Sequence, residues 1–298
     1  MNWNFKGSGV ALVTPFDGNN QINYDKLEEL IDYHIQHHTD ALVIAGTTGE
    51  ASTLSVEEHK NLIRHSVEIA NDRIPVIAGT GSNETPLAVE LSVQAEEVGA
   101  DGLLLVTPYY NKTNTSGLIK HYEAVAEQVK IPMILYNVPS RTGMNIPLEA
   151  MLHLSKNERI IGVKEASHNI SYSSEVARLC GEDFVILSGN DDIIVPMMAI
   201  GASGVISVVA NILPKETHDI ATLYLEGKVE ESRRLQLKYN AFIHSLFYET
   251  NPIPVKTAMN LMGWKVGDLR LPLYEMDAAT REKMVVEMKE IGIELSKR

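Results

Sequence analysis

The sequence holds a single cysteine, Cys180, in 298 residues. An internal disulfide framework is therefore excluded, and the usage fits a reducing cytoplasm, with Cys180 read as a packed free thiol. Basic residues are also scarce: 26 Lys and Arg face 39 Asp and Glu, a net charge of −13. That balance argues against a nucleic-acid groove or an anionic membrane surface, both of which need a basic face. The start of the chain, Met1 to Lys6, lacks the apolar centre of a signal peptide. The 22 uncharged residues from Ile193 to Pro214 are long enough to cross a bilayer. They contain Pro196, Gly201, Ser203, Gly204, Ser207 and Asn211, however, and Gly201 to Gly204 reads as a turn from helix to strand. A buried helix followed by a buried strand is expected there, with no membrane partner.

Several chemical signatures are missing too. No His-Glu-x-x-His, P-loop, EF-hand or Gly-x-Ser-x-Gly pattern occurs. Gly79-Thr80-Gly81 opens like a dinucleotide loop, but Glu84 stands where the third glycine belongs. His34, His37 and His38 have a spacing that suits zinc, yet no carboxylate or cysteine accompanies them, so a solvated helix face is expected. Asn190 and Asp191 read as a helix N-cap rather than metal ligands. Neither a metal nor an organic cofactor is expected.

What the sequence does contain is a regular alternation. Hydrophobic residues make up 44% and charged residues 22%, ordinary for a globular chain with a sizeable core. Eight short apolar runs recur: Val10–Thr14, Ala41–Ala45, Val76–Gly79, Gly102–Val106, Met133–Tyr136, Ile160–Lys164, Val185–Ser188 and Gly204–Ser207. They are apolar throughout rather than alternating, as in strands of a parallel sheet covered on both faces. Each gap has room for a helix. Asn23 caps a pattern of Leu27, Leu30, Ile31 and His34, and Ser55-Val56-Glu57-Glu58 is a capping box opening a helix toward Ala70. Thr85 to Val98 places Leu87, Leu91 and Val98 on one face. Eight strand–helix units predict an α/β fold, a (β/α)₈ TIM barrel, with an open doubly wound sheet as the alternative. After Leu225 only helical patterns remain: Val229–Phe247, Pro254–Leu261 and Ala278–Leu295. A barrel domain over 1–225 and a C-terminal helical domain over 226–298 are expected.

In such a barrel, chemistry sits where strands end. The sixth run, Ile-Ile-Gly-Val, leads straight into Lys164. Desolvation at the end of a buried strand disfavours an ammonium, so a neutral, nucleophilic amine becomes accessible. On the same rim lie Thr47 and Thr48 in a glycine-flanked turn, Tyr109 and Tyr110, Tyr136 followed by Arg141, Gly189 with Asn190 and Asp191, and Ile206. A lysine, tyrosines, hydroxyls and an arginine thus converge.

With these motifs in place, the chain resembles the pyruvate-dependent class I aldolase family, and within it the dihydrodipicolinate synthase branch. The likeness runs from Gly7-Ser8-Gly9-Val10 through Asn251-Pro252-Ile253-Pro254-Val255-Lys256 to Asp268-Leu269-Arg270-Leu271-Pro272-Leu273. Its most specific parts are Gly46-Thr47-Thr48-Gly49-Glu50, Tyr109-Tyr110-Asn111 and Tyr136-Asn137-Val138-Pro139-Ser140-Arg141-Thr142-Gly143. The resemblance implies condensation of pyruvate with L-aspartate-4-semialdehyde in the diaminopimelate route to lysine. It implies a Schiff base on Lys164, Tyr136 as proton donor and acceptor, and Thr47 and Tyr110 as a proton relay, Tyr110 coming from a neighbouring subunit. Thr48 and the backbone at Ile206 are implied to hold the pyruvate carboxylate, Arg141 to bind the semialdehyde carboxylate, and Gly189 to leave room near the imine. It also implies a homotetramer built as a dimer of dimers, in the cytoplasm.

Two departures stand out. A proline usual after the Tyr-Tyr-Asn-basic motif is Thr113 here, which is expected to change loop stiffness only. The positions that match the family's lysine-inhibition site are Ala51, Ser52, Val56, His59, Asn83, Leu87 and Tyr109. Val56 and Leu87 replace a histidine and a glutamate, so lysine inhibition is expected to be weak or absent. The rival reading is a sugar-acid lyase on the same scaffold, such as N-acetylneuraminate lyase or a 2-keto-3-deoxy sugar-acid aldolase. It shares Lys164 and Tyr136 without needing Tyr110 or Arg141. A non-catalytic binding protein on this scaffold is expected to have lost the lysine or the tyrosine, and both are present.

Overall fold

The computed structural model describes residues 5–296, so Met1 to Asn4 of the starting run, with Lys297 and Arg298, lie outside the described residues. Eight strands close into one parallel barrel in sequence order: β1 (Gly7–Ala11), β2 (Ala41–Ile44), β3 (Val76–Gly79), β4 (Gly102–Val106), β5 (Met133–Asn137), β6 (Ile160–Glu165), β7 (Val185–Ser188) and β8 (Gly204–Ser207). β1 pairs with β8 through Gly7–Gly204 and Gly9–Ile206, which excludes the open-sheet alternative.

Seven strands lie within a residue of their apolar runs. β1 does not: it begins three residues before Val10. Its first residues are small because the closing seam is tight. A Cβ on Gly204 would come within 1.9 Å of the Gly7 carbonyl oxygen. Hydropathy alone cannot see a strand edge built from Gly and Ser.

The pleat alternates side chains between two packed layers. Ala11, Val43, Ile77, Leu104, Ile134, Leu187 and Ile206 point into the barrel. Their neighbours Val10, Leu42, Leu103, Leu135, Val163, Ile186 and Val205 pack outward under the helices. Both faces are therefore buried, the physical reason the runs carry no polar alternation. On β5 and β6 the same alternation turns Tyr136 and Lys164 inward.

The outer helices are α1 (Tyr24–Gln36), α2 (Val56–Ala70), α3 (Thr85–Glu97), α4 (Thr115–Ala126), α5 (Pro139–Thr142), α6 (Leu148–Leu154), α7 (Ile170–Cys180), α8 (Ile194–Ala199) and α9 (Pro214–Leu225). Asn23 caps α1 by accepting from the Lys26 N–H, and Ser55 and Glu58 form the full capping box of α2. In α3 the buried face is Ala88, Leu91, Ser92 and Ala95, with Leu87 only half-buried. Three further helices follow: α10 (Val229–Ser245), α11 (Ile253–Leu261) and α12 (Ala278–Glu290). α10 packs against α9 and α12, and α11 against α12.

Ile193 to Pro214 does contain a buried helix and a buried strand, α8 and β8. No helix among the described residues is long and apolar enough to cross a membrane. The expected solvated histidine face is corrected at one position. His34 is fully buried, with Nδ1 2.9 Å from Thr39 Oγ1, and burial holds its pKa at about 3. His37 bonds the Tyr33 carbonyl and His38 is exposed. Among the described residues no group of three or more His, Cys, Asp or Glu is arranged to hold a metal ion.

Candidate active site

The register of β5 against β6 sets the centre of the site: Tyr136 is the direct partner of Lys164. The Lys164 Nζ lies 4.4 Å from the centre of the Tyr136 ring. Lys164 is 5% exposed and Tyr136 8%. The Lys164 ammonium donates no hydrogen bond to any described residue. Burial, with a smaller push from the Arg141 guanidinium, holds its pKa at about 8, against the pull of the Asp191 carboxylate. An amine this far below the ordinary lysine range is partly uncharged near neutral pH.

Burial moves the Tyr136 phenol the other way, up from its usual range, while the nearby Arg141 guanidinium and Thr47 side chain oppose the shift. The phenol therefore keeps its proton unless a partner takes it, which is the work of a relay. Thr47 lies in the turn after β2. Its neighbour Thr48 is buried, and Thr48 Oγ1 accepts a hydrogen bond from Asn251 Nδ2 at 2.9 Å. Arg141 sits in the single turn of α5 and donates through Nη2 to the Asn251 carbonyl oxygen at 2.8 Å.

Thr47, Thr48, Tyr136, Arg141, Lys164 and Gly189 line one cavity of about 490 Å³ at the carboxyl ends of the strands. Gly189 lies against the lysine: a Cβ there would be 3.2 Å from Lys164 Cε and 2.6 Å from Ala166 Cβ. Ile206 is fully buried in the barrel interior and is not among the residues lining that cavity. Tyr110 is not among them either. It is 91% exposed at φ 69°, a left-handed conformation that few side-chain residues adopt.

A second cavity of about 260 Å³ adjoins the first and shares Thr47, Tyr136, Val138 and Arg141 with it. Ala51, Ser52 and Tyr109 line it. His59 approaches from behind, its Nε2 bonded to the Gly79 carbonyl at 2.7 Å, and Asn83 Nδ2 donates to the Tyr109 carbonyl at 3.2 Å. Val56 is exposed in the first turn of α2, and neither Val56 nor Leu87 is among the lining residues.

The N-cap reading of Asn190 and Asp191 holds for position but not for the side chains: Asn190 is the N-cap residue of the short 3-10 turn Asp191–Ile193, and neither side chain makes the capping hydrogen bond there. Asp191 is 1% exposed, and its Oδ2 accepts the N–H groups of Val208 and Val209 at 2.9 and 3.0 Å, just beyond β8. Burial pushes its carboxyl up, and the Lys164 charge pulls it down. Asn190 Nδ2 instead meets His168 Nδ1 at 3.1 Å. Asp and Asn before a short helix match the cap pattern, and only the fold reveals that the turn folds back on β8. Glu165, next to Lys164 but on the opposite face of β6, accepts from Asn137 Nδ2 at 2.7 Å and from the Ser167 N–H at 2.6 Å.

The comparisons with known proteins agree with this geometry. A family model described as the dihydrodipicolinate synthetase family matches residues 4–291. The chain belongs to that family. A 4-hydroxy-tetrahydrodipicolinate synthase of Clostridium perfringens is 53% identical over 291 residues, covering 97% of this chain and 99% of the relative. The crystal structure of dihydrodipicolinate synthase from Aquifex aeolicus is 44% identical with a TM-score of 0.96, covering 98% of this chain and 100% of that one. A chloride-inhibited dihydrodipicolinate synthase from Acinetobacter baumannii, crystallised in complex with pyruvate, is 40% identical with a TM-score of 0.95, covering 98% and 100%. Membership of the dihydrodipicolinate synthetase family accounts for the whole barrel and for the helices that follow it.

Proposed function

We infer that the protein is a Schiff-base-forming lyase that condenses pyruvate with L-aspartate-4-semialdehyde to give 4-hydroxy-tetrahydrodipicolinate, in the diaminopimelate route to lysine. The observation that carries this reading is the Lys164–Tyr136 pair, a buried amine without an acceptor set against a buried phenol, in a chain of the dihydrodipicolinate synthetase family. The uncharged Lys164 amine attacks the keto carbon of pyruvate. A carbinolamine forms, water leaves, and an iminium remains. The iminium draws electrons from the methyl group, which loses a proton to become an enamine. The enamine carbon then attacks the aldehyde carbon of the semialdehyde, whose oxygen takes a proton, and the amino group of the semialdehyde attacks the regenerated iminium carbon, closing the ring and releasing the Lys164 amine.

Tyr136 moves these protons, with Thr47 as its relay partner and Tyr110 of a neighbouring subunit completing the chain. The Thr47 side chain, close enough to the Tyr136 phenol to oppose its upward shift, supports the first part, and the 91% exposure of Tyr110 supports its engagement outside its own subunit. A dimer is then the minimal active unit and a dimer of dimers the working assembly, in the cytoplasm. Thr48 and the backbone at Ile206 hold the pyruvate carboxylate. Arg141 takes the semialdehyde carboxylate in the planar pairing that guanidinium favours. Gly189 keeps the space beside Lys164 open. Lysine inhibition is weak or absent, because Leu87 and Val56 stand where inhibited members of the family carry a glutamate and a histidine, so an inhibitor's ammonium would lack its charge partner.

A coupled rate assay tests the reading. Aspartate semialdehyde with pyruvate turns over and N-acetylneuraminate does not. Cleavage of the sugar acid at a higher kcat/KM would overturn it in favour of the sugar-acid lyase.

A further inference from the structure

A second buried lysine lies behind the Thr47–Thr48 turn. Lys256 of α11 is 1% exposed, and its Nζ donates to Glu50 Oε1 at 2.9 Å, to the Thr14 carbonyl at 3.2 Å and to the Asp268 carbonyl at 2.7 Å. Glu50 is also 1% exposed, and its Oε2 accepts the backbone N–H of Arg270 at 3.0 Å. The Arg270 guanidinium continues outward to Glu58, the capping-box residue of α2. The Lys256 and Arg270 cations lie 4.4 and 4.3 Å from the centre of the Phe16 ring. The turn, the stretch just after β1 and the start of α2 are thus all tied to the segment that follows the barrel.

Glu50 stands two residues after Thr48, at φ 56°. A side-chain residue in that left-handed conformation persists where its surroundings over-determine it. Here they do: the Glu50 carboxylate accepts from the Lys256 ammonium and the Arg270 N–H, its own N–H donates to the Thr47 carbonyl, and its carbonyl accepts from Thr53. The same segment holds the turn a second time, since Asn251 donates to Thr48 Oγ1 while its carbonyl receives Arg141.

We propose that the Glu50–Lys256 ion pair is a positioning device for the reaction: it fixes the Thr47–Thr48 hydroxyls against Tyr136, so the helices after the barrel are part of the catalytic apparatus. The proposal rests on the condensation reading, because only there do those hydroxyls act. The competing view is that the pair merely docks α11 and stabilises the fold. Lys164 is not touched by the network, so the amount of imine trapped at saturating pyruvate and the relay-dependent turnover rate separate under the two views.

The experiment compares wild type with Glu50→Gln, which keeps the shape and loses the charge, and with Glu50→Gln/Lys256→Met, which leaves no unpaired buried charge. For each, circular dichroism gives the folded fraction and Tm, steady-state rates give kcat and KM, and borohydride with pyruvate gives the trapped adduct. A displacement of about 1 Å at a reacting group lowers a rate by about 10²-fold, so kcat should fall by about 10–100-fold in the folded double variant. The pyruvate adduct should still form, and the double variant should regain much of any Tm lost in Glu50→Gln. Folded variants with kcat within about twofold of wild type would overturn the positioning role, and so would equal loss of adduct and turnover. If the double variant does not fold, the folded Glu50→Gln enzyme decides by the same two criteria. Wild type that traps pyruvate but gives no condensation would sink the underlying reading instead.

Discussion

Two lysines are buried among the described residues, and each has its nitrogen 4.4 Å from the centre of an aromatic ring: Lys164 over Tyr136, Lys256 over Phe16. Burial lowers the pKa of both. They differ in what their protons meet. Lys256 spends all three on a carboxylate and two backbone carbonyls. Lys164 has no acceptor among the described residues. A buried ammonium with three acceptors is compensated and stays charged. One without acceptors sheds its proton more readily and becomes a nucleophile. The contrast predicts that burial without acceptors, rather than burial alone, marks the reactive lysine.

Removing each lysine should therefore break something different. The largest effect is expected from Lys164→Met, which loses condensation by at least about 10³-fold in steady-state rate, since the nucleophile itself is gone. Its Tm near neutral pH should not fall, because a buried, uncompensated charge has been replaced by an apolar chain of similar length. A clear drop in Tm would contradict the contrast. Lys256→Met should do the reverse to stability, lowering it by about 3–5 kcal/mol in denaturant unfolding, because the Glu50 carboxylate is left buried without its counter-charge. Trapped pyruvate on Lys164 should survive in that variant.

A smaller effect follows from linkage. The folded-state pKa of Lys164, about 8, lies below its ordinary value of 10.5. Between those values the unfolded chain binds the extra proton, so the Lys164 contribution to stability rises with pH across that window. Below pH 8 the full penalty applies. Denaturant unfolding of wild type and Lys164→Met at pH 7 and 10 checks the sign: the advantage of the methionine variant should shrink at the higher pH. The smallest effect is the response to lysine. Half-inhibition is expected only above about 1 mM, an affinity no tighter than about −4 kcal/mol. Inhibition at lower concentration would show that Val56 and Leu87 are replaced by other partners.

The barrel was legible because it is built from local repetition: apolar runs covered on both faces, caps before helices, polar residues just after strands. Lys164, Tyr136 and the Thr47–Thr48 turn could be picked out on those grounds. The roles of Asn251 and Lys256 could not. Asn251 meets Thr48 across 203 residues and Lys256 meets Glu50 across 206, and no spacing rule reaches that far. Both residues lie in the Asn251–Lys256 run that carries the family likeness, yet the run itself states no partner. Asp191 misled for a related reason, because its acceptors are filled by the turn after β8 rather than by the helix that follows it.

The central claim is that Lys164, and not Lys256, presents an uncharged amine to pyruvate. Borohydride reduction with pyruvate, followed by peptide mass spectrometry over a pH series, tests it directly. The adduct is expected on Lys164 alone, with its initial rate of formation climbing by up to about tenfold per pH unit until about pH 8 and then levelling. An adduct on Lys256, or none on either lysine, would contradict the account.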